Sequence, residues 1–347
     1  MKVFGMKDLV VNRHALPDWY RCQSIAFVYP YKVKDREHLI PFYDNLLSIV
    51  PHDVGITLVV RDASFTNAYS KKCHEKGITN QINFIEIPDI TDIWIRDFAP
   101  ITIIEGGLKT ALQFEYAPSY VDKKHQKYLL QDHQAGETLW MKLKGYGVGS
   151  MYFKWDMGNL THNGNGTAIV TNRLIADNQN VNIEHELKPM LHVFTGFKNI
   201  HFIPTEHEDR TGHVDGMVRF IDEKVLVVGS YPRGVENHNL MDKVAEELKQ
   251  DLGSEFTVLR LENGIPEDFE YEGIGSAYGN HINFLRINDN ILFPYYSDEV
   301  SKKPMHDLVS NLKHNHININ VIPVNIPEIK DLARLGGVLN CISWQVF

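Results

Sequence analysis

Only three of the 347 residues are cysteines, Cys22, Cys73 and Cys341. An odd number, so widely spaced, makes no disulfide framework, and the chain reads as a cytoplasmic protein with reduced thiols. Long apolar runs are also missing. No segment approaches the roughly 18 apolar residues that a membrane-crossing helix needs, so no membrane partner is expected. Lys7, Asp8, Asn12 and Arg13 break up the opening "MKVFGMKDLVVNRHALPDW", and no secretory leader is expected there. Positive charge is in deficit. The net charge of −9 argues against a nucleic-acid partner, which calls for a basic face, and suits a cationic small molecule. Pro- or Ser-rich linkers, low-complexity tracts, HExxH and CxxC are all absent. What remains, 43% hydrophobic and 23% charged residues, is the composition of an ordinary globular protein with a large core.

Length alone suggests two domains, but the chain carries a repeated plan instead. "MGNLTHNGNGTAIVTNRLI", "TGHVDGMVRFIDEKVLVVG" and "YGNHINFLRINDNILFP" each place a Gly and a polar residue before a strand, a turn and a second strand. Their turns, "NGNG", "IDEK" and "INDN", are rich in residues that tolerate tight hairpins. "WIRDFAPITIIEGGLKTALQF" predicts a fourth hairpin turning at Glu105-Gly106-Gly107. A helical stretch and a further strand follow, as where Leu240, Val244, Leu248 and Leu252 precede Gly253 and "FTVLRL". Polar anchors fall at Asp97, Asn159, His213, His281 and Cys341, separated by 62, 54, 68 and 60 residues. Such a period predicts one α/β domain over 1–347, built by radial repetition, with the anchors meeting near a common axis.

Within that plan "DIWIRDFAP" stands out. As a strand it puts Ile93, Ile95 and Asp97 on one face, opposite Asp92, Trp94 and Arg96. A carboxylate on the apolar side costs several kcal/mol unless a cation or metal meets it. In "HEDRTGHVDGMVRF", His213 and Asp215 lie two apart and would share a side of a strand. His207, Asp209, His213 and Asp215 are all ligand types, yet their spacing fits no metal motif. Cys341 follows "GG", which permits a tight backbone approach. As a nucleophile it needs activation, by His213 or by a cationic substrate.

In this order and at these distances, "DIWIRDFAP", "DMGN", "TGHVDGMVRF" and "GGVLNCISW", with the opening "LPDWYRCQSIAFVYP", resemble the agmatine deiminase and bacterial-type peptidylarginine deiminase family. The resemblance covers nearly the whole chain. It implies the pentein fold, a five-bladed α/β propeller of ββαβ-type pseudo-repeats around a central site, in agreement with the period above. It also implies hydrolysis of a guanidinium group to a ureido group plus ammonia, without metal or organic cofactor. By that resemblance Cys341 is the nucleophile and His213 the general acid-base. Asp97 and Asp215 bind the guanidinium, Asp156 is the motif's acid with Asn159 beside it, and Trp94 is a candidate substrate contact. The expected substrate is agmatine, giving N-carbamoylputrescine. Peptidylarginine or another guanidine, and a guanidine-binding role without turnover, are the alternatives; a homo-oligomer is compatible with each.

The chain departs from the family pattern at three places. Met157-Gly158 stands for paired glycines, Asn340 precedes the nucleophile where His is common, and "NHINF" lacks a Ser-Tyr that many agmatine-specific members have. His281 and Asn283 within it are candidates for either the site or the core.

Overall fold

The computed structural model describes residues 13–347, so most of the opening stretch lies outside the described residues. The chain is a mixed α/β protein. Each predicted hairpin forms an antiparallel pair, and a third strand joins parallel to it after a helical connection. Ile101–Glu105 and Leu108–Glu115 pair antiparallel, and Gly149–Lys154 adds in parallel after the helix Gln126–Lys144. Thr161–His162 and Thr167–Thr171 take Asn199–Ile203. Val218–Asp222 and Val225–Ser230 take Thr257–Glu262, and Leu285–Ile287 and Asn290–Pro294 take Asn320–Val324. The fifth sheet joins both ends of the sequence: Trp344–Val346 pairs antiparallel with Ser24–Val28, which Gly55–Val60 and Ile82–Glu86 extend in parallel.

The turns form because their residues accept left-handed backbone. Gly106 and Gly107 have φ of 57° and 85°, Gly164 and Gly166 of 70° and 95°. The connecting helices bury one face, as Met241, Val244, Ala245, Leu248 and Leu252 of His238–Leu252 do. Four buried apolar clusters result, and strands such as Ser24–Val28 are buried at every residue.

Two local expectations are corrected. Ile95–Phe98 is a single helical turn, not a strand, closed by Asp97 N donating to Trp94 O (3.0 Å) and Ala99 N to Ile95 O (3.0 Å). Long-range bonds override the β-branched sequence. Arg96 N donates to Cys341 O (3.2 Å), and its guanidinium bonds Gln345 Oε1 (2.7 Å) and Asp18 Oδ1 (3.2 Å). Likewise Val214–Gly216 is a 3-10 turn ahead of the strand Val218–Asp222, so His213 and Asp215 do not alternate along a strand.

Asp18 lies under this framework. It accepts from Arg96 and from the fully buried Arg219, which also donates to Phe284 O (3.0 Å) and stacks on the Phe284 ring. Burial alone would raise the Asp18 pKa, but the two guanidiniums prevail and hold it below the usual range. Removing the carboxylate leaves both cations without their charge partner. Asp18→Ala is expected to lose about 3–5 kcal/mol of unfolding free energy in urea titration. A change below about 1 kcal/mol would show that these arginines need no anion.

Candidate active site

The loops that precede the hairpins converge on one cavity of about 1110 Å³. Trp94, Asp97, Tyr120, His213, Asp215, Asn283, Gly337 and Cys341 are among the residues that line it. The segment leading into Asp97 is pinned at two points. Thr91 donates its N–H (2.7 Å) and hydroxyl (2.6 Å) to Asp132, and Asp92 receives two bonds from Arg36. The helical turn then aims the Asp97 carboxylate inward. Among the described residues its buried Oδ1 has no hydrogen-bond partner, and His213 Nδ1 stands 3.7 Å away.

The other nitrogen of His213, Nε2, lies 3.2 Å from Asp156 Oδ2. That oxygen also accepts from Tyr120 Oη at 3.1 Å. Asp156 is buried behind the imidazole and is not among the cavity-lining residues. Burial opposes charge on His213, but Asp97, Asp156 and Asp215 together outweigh it and raise its pKa to about 10. Burial pushes Asp97 up to about 7, opposed by His213 and reinforced by Asp156 and Asp215. His213 is therefore held towards its charged form beside Asp97, Asp156 and Asp215.

Cys341 sits beside Asp215. Its Sγ is 3.7 Å from Asp215 Oδ2 and receives Asn283 Nδ2 at 3.2 Å. Burial, then Asp215 and Asp97, raise the thiol well above its ordinary pKa, so it is protonated and donates to Asp215. The Asn283 carbonyl accepts from the backbone N–H of Val338 (3.2 Å), Asn340 (3.1 Å) and Cys341 (3.4 Å). One side chain thus shapes the whole thiol loop. Asn283 is in turn bonded by Asn280, whose Nδ2 donates to Gly216 O in the Asp215 turn (3.0 Å).

Two glycines make these approaches possible. A Cβ on Gly158 would lie 2.4 Å from His213 Nδ1 and 2.6 Å from Asp97 Oδ1, and one on Gly337 would lie 2.6 Å from the Trp94 ring and 3.1 Å from Cys341 Sγ. Met157, the departure beside Gly158, packs into a separate apolar cluster with Trp155. Asn340 donates to Asp215 Oδ2 at 2.6 Å and so orients that carboxylate.

Two anchors from the sequence period do not line the cavity. Asn159 Oδ1 accepts from Thr171 N (2.8 Å), and His281 is fully buried between Glu262 O (2.7 Å) and Ser301 Oγ (3.1 Å), its pKa lowered by burial to about 4. Asp156 and Asn283, three residues before and two after those anchors, make the polar contacts with His213 and Cys341. Tyr120 was not anticipated; "APSYVDKK" carries no periodicity that marks it. Among the described residues no helix is long and apolar enough to cross a membrane.

A mixed α/β arrangement of small sheets thus draws a thiol, an imidazole and several carboxylates to one pocket. The chain belongs to the Porphyromonas-type peptidyl-arginine deiminase family, whose sequence profile matches residues 14–346. It is similar in fold to the agmatine deiminase of C. jejuni, with a TM-score of 0.78 and 22% identity over 98% of both chains. A Cys-to-Ser variant of that enzyme with substrate bound aligns at a TM-score of 0.80, again 22% identical over 98% of both. The agmatine deiminase of Enterococcus faecalis aligns at 0.77 with 15% identity, over 99% of this chain and 98% of the other.

The packing of Gly158 yields a direct test. Gly158→Ala is expected to force His213 and Asp97 apart, removing one of the charges that raise the imidazole pKa. In an NMR titration the His213 pKa should fall by about one unit. An unchanged value in a folded variant would mean that Asp97 contributes nothing to it.

Proposed function

We propose that this protein is a cofactor-independent cysteine hydrolase that converts a guanidinium group into a ureido group and ammonia, with agmatine as substrate and N-carbamoylputrescine as product. The reading includes a single pentein domain over 1–347, its five sheets arranged as propeller blades around the cavity, working in the cytoplasm. The observation that carries it is the excess of buried negative charge beside a thiol. Asp97, Asp156 and Asp215 surround one imidazolium, and Asp97 lines the cavity with a buried Oδ1 that accepts no hydrogen bond among the described residues. A planar cation with five N–H donors suits such a site, since two carboxylates can each take a forked pair. The named substrates of similar enzymes support the guanidine reading, and agmatine in particular.

The residues then have these roles. Asp97 and Asp215 clamp the guanidinium over Cys341, with Trp94 as a wall of the pocket. The arriving positive charge offsets the carboxylates that keep the thiol protonated, and the thiolate forms as the substrate binds, its proton passing to solvent. Sulfur attacks the guanidinium carbon, giving a tetrahedral adduct. His213 delivers its proton to the departing nitrogen, the C–N bond breaks, and ammonia leaves a thiouronium on Cys341. Water then attacks while His213 takes a proton, and breaking the C–S bond releases the urea product and the thiol. Attack discharges the substrate cation and creates no oxyanion. Acceptors around the carbon therefore serve better than N–H donors, and the N–H groups of the thiol loop are bound to Asn283.

Cys341→Ala is expected to abolish ammonia release from agmatine while guanidine binding persists in calorimetry, with EDTA without effect on the wild type. Turnover in the folded variant would sink the covalent route. Release from an arginine-containing peptide but not from agmatine would move the substrate to peptidylarginine.

The pH profile follows from the charges. Asp97 must be ionised to hold the cation and His213 protonated to release ammonia. The kcat/KM should rise with pH through about 7 and fall through about 10. Activity that declines from pH 6 to 8 would contradict this assignment.

A further inference from the structure

Among the described residues, Tyr120 carries the one hydroxyl that reaches both His213 and its buried acid. Its Oη donates to Asp156 Oδ2 at 3.1 Å and lies 3.5 Å from His213 Nε2, and its ring meets the imidazole edge-on at 6.0 Å. The loop that carries it has no strand or helix to fix it between Glu115 and Lys123. Besides the contacts of Ser119 with Asp177 and Arg173, Arg210 holds it, donating from Nη2 to Tyr120 O (3.0 Å) and from Nη1 to Gly273 O (3.1 Å). Gly273 is the turn of a small ribbon, Glu270–Tyr271 paired with Ile274–Gly275. Its φ is 78°, and a Cβ there would come within 2.1 Å of Arg210 Nη1. The ribbon is seated elsewhere by Arg36, bonded to Tyr271 Oη, and by Ile274 against Gly336 of the thiol loop. Tyr120, Arg210 and this ribbon all line the cavity.

We propose that Tyr120 is a positioning residue for His213, and that Arg210 sets it in place by clasping the Tyr120 loop to the Glu270–Gly275 ribbon. The proposal rests on the hydrolase reading for its catalytic consequence, though not for its structural one. Asp156 Oδ2 receives two contacts, from Nε2 and from the phenol. The phenol remains a donor, since burial and then Asp156 push its pKa well above the ordinary value. By sharing the oxygen it draws charge away from the imidazolium and makes the His213 proton easier to give up. The groups facing His213 are Asp97 at Nδ1, Asp156 and Tyr120 at Nε2, and Asp215 from its own turn. Further out, Arg173 stands 5.9 Å from the Tyr120 ring, and Asp177 bonds the neighbouring Ser119. Tyr120 is therefore the neutral member of a charged set, and its removal changes hydrogen bonding without changing net charge.

The test is Tyr120→Phe, which keeps the ring packing and removes only the hydroxyl. The His213 pKa, followed by NMR in the substrate-free protein and assigned by its loss in His213→Asn, should rise by about one unit. With turnover, kcat should fall roughly tenfold while KM changes less than about twofold, and the alkaline limb of the kcat profile should move up with the imidazole. Arg210→Ala should raise the His213 pKa in the same direction by a smaller amount. Arg210→Lys, whose ammonium is not a planar fork, should not restore the wild-type value. An unchanged or lowered His213 pKa in Tyr120→Phe with native thermal stability would overturn the proposal. A wild-type value in Arg210→Ala would overturn the clasp. The titration needs no turnover, so failure of the hydrolase reading would show separately, as absence of ammonia release from every guanidine tried.

Discussion

The site depends on an imbalance of buried charge. Three carboxylates face one imidazolium in a place where each ion is costly, and the protein meets the cost by proximity. The result is a set of states coupled to one another. Asp97 is pushed towards neutrality and His213 towards its charged form, while burial, then Asp215 and Asp97, keep Cys341 a thiol.

Keeping such a cluster together demands a rigid frame, and the frame is polar. Asp18 joins Arg96 to Arg219, and Arg96 reaches the carbonyls on either side of the link between Asn340 and Cys341. Asn283 gathers the amides of the thiol loop, and Asn340 turns back to orient Asp215. Arg96 also ties Asp18 to the Cys341 loop and to Gln345 of the strand that pairs with Ser24–Val28. Gly158 and Gly337 then determine how near the parts can come. At both positions a methyl group would occupy the space that the imidazole, carboxylate, indole and sulfur now share.

Much of this was legible in the sequence. The hairpin turns announced themselves by Gly, Asn and Asp, the helices by their four-residue apolar steps, and the spacing of polar anchors by its regularity. Asp97, His213, Asp215 and Cys341 were found this way and do share the cavity. The failures have physical causes. "DIWIRDFAP" alternates as a strand should, but the long-range bonds of Arg96 fold it into a turn. Asn159 and His281 stand at the repeat positions, yet there the polar side chain serves the neighbouring backbone. Equivalent places in repeated units fix where the chain passes, and the local turn decides which side chain looks inward. Tyr120 and Asn340 act through partners more than 30 residues away, and no local pattern points to such partners.

The departures from the family pattern follow the same logic. Met157 leaves the cavity untouched because the adjoining Gly158 is the residue that lies against His213 and Asp97; the larger side chain turns into a core that already holds Trp155. Asn340 replaces a ring common at that position by an amide, which donates to Asp215 without adding a titratable group beside the thiol. Asn280 and Asn283 are likewise neutral amides, one joined to the Asp215 turn and the other to the sulfur. The three amides near Cys341 thus hold geometry and carry no charge of their own. The negative charge of the cavity wall is set by Asp97 and Asp215 with Asp156 behind them. The amides and glycines around them decide how closely these groups approach His213 and the sulfur.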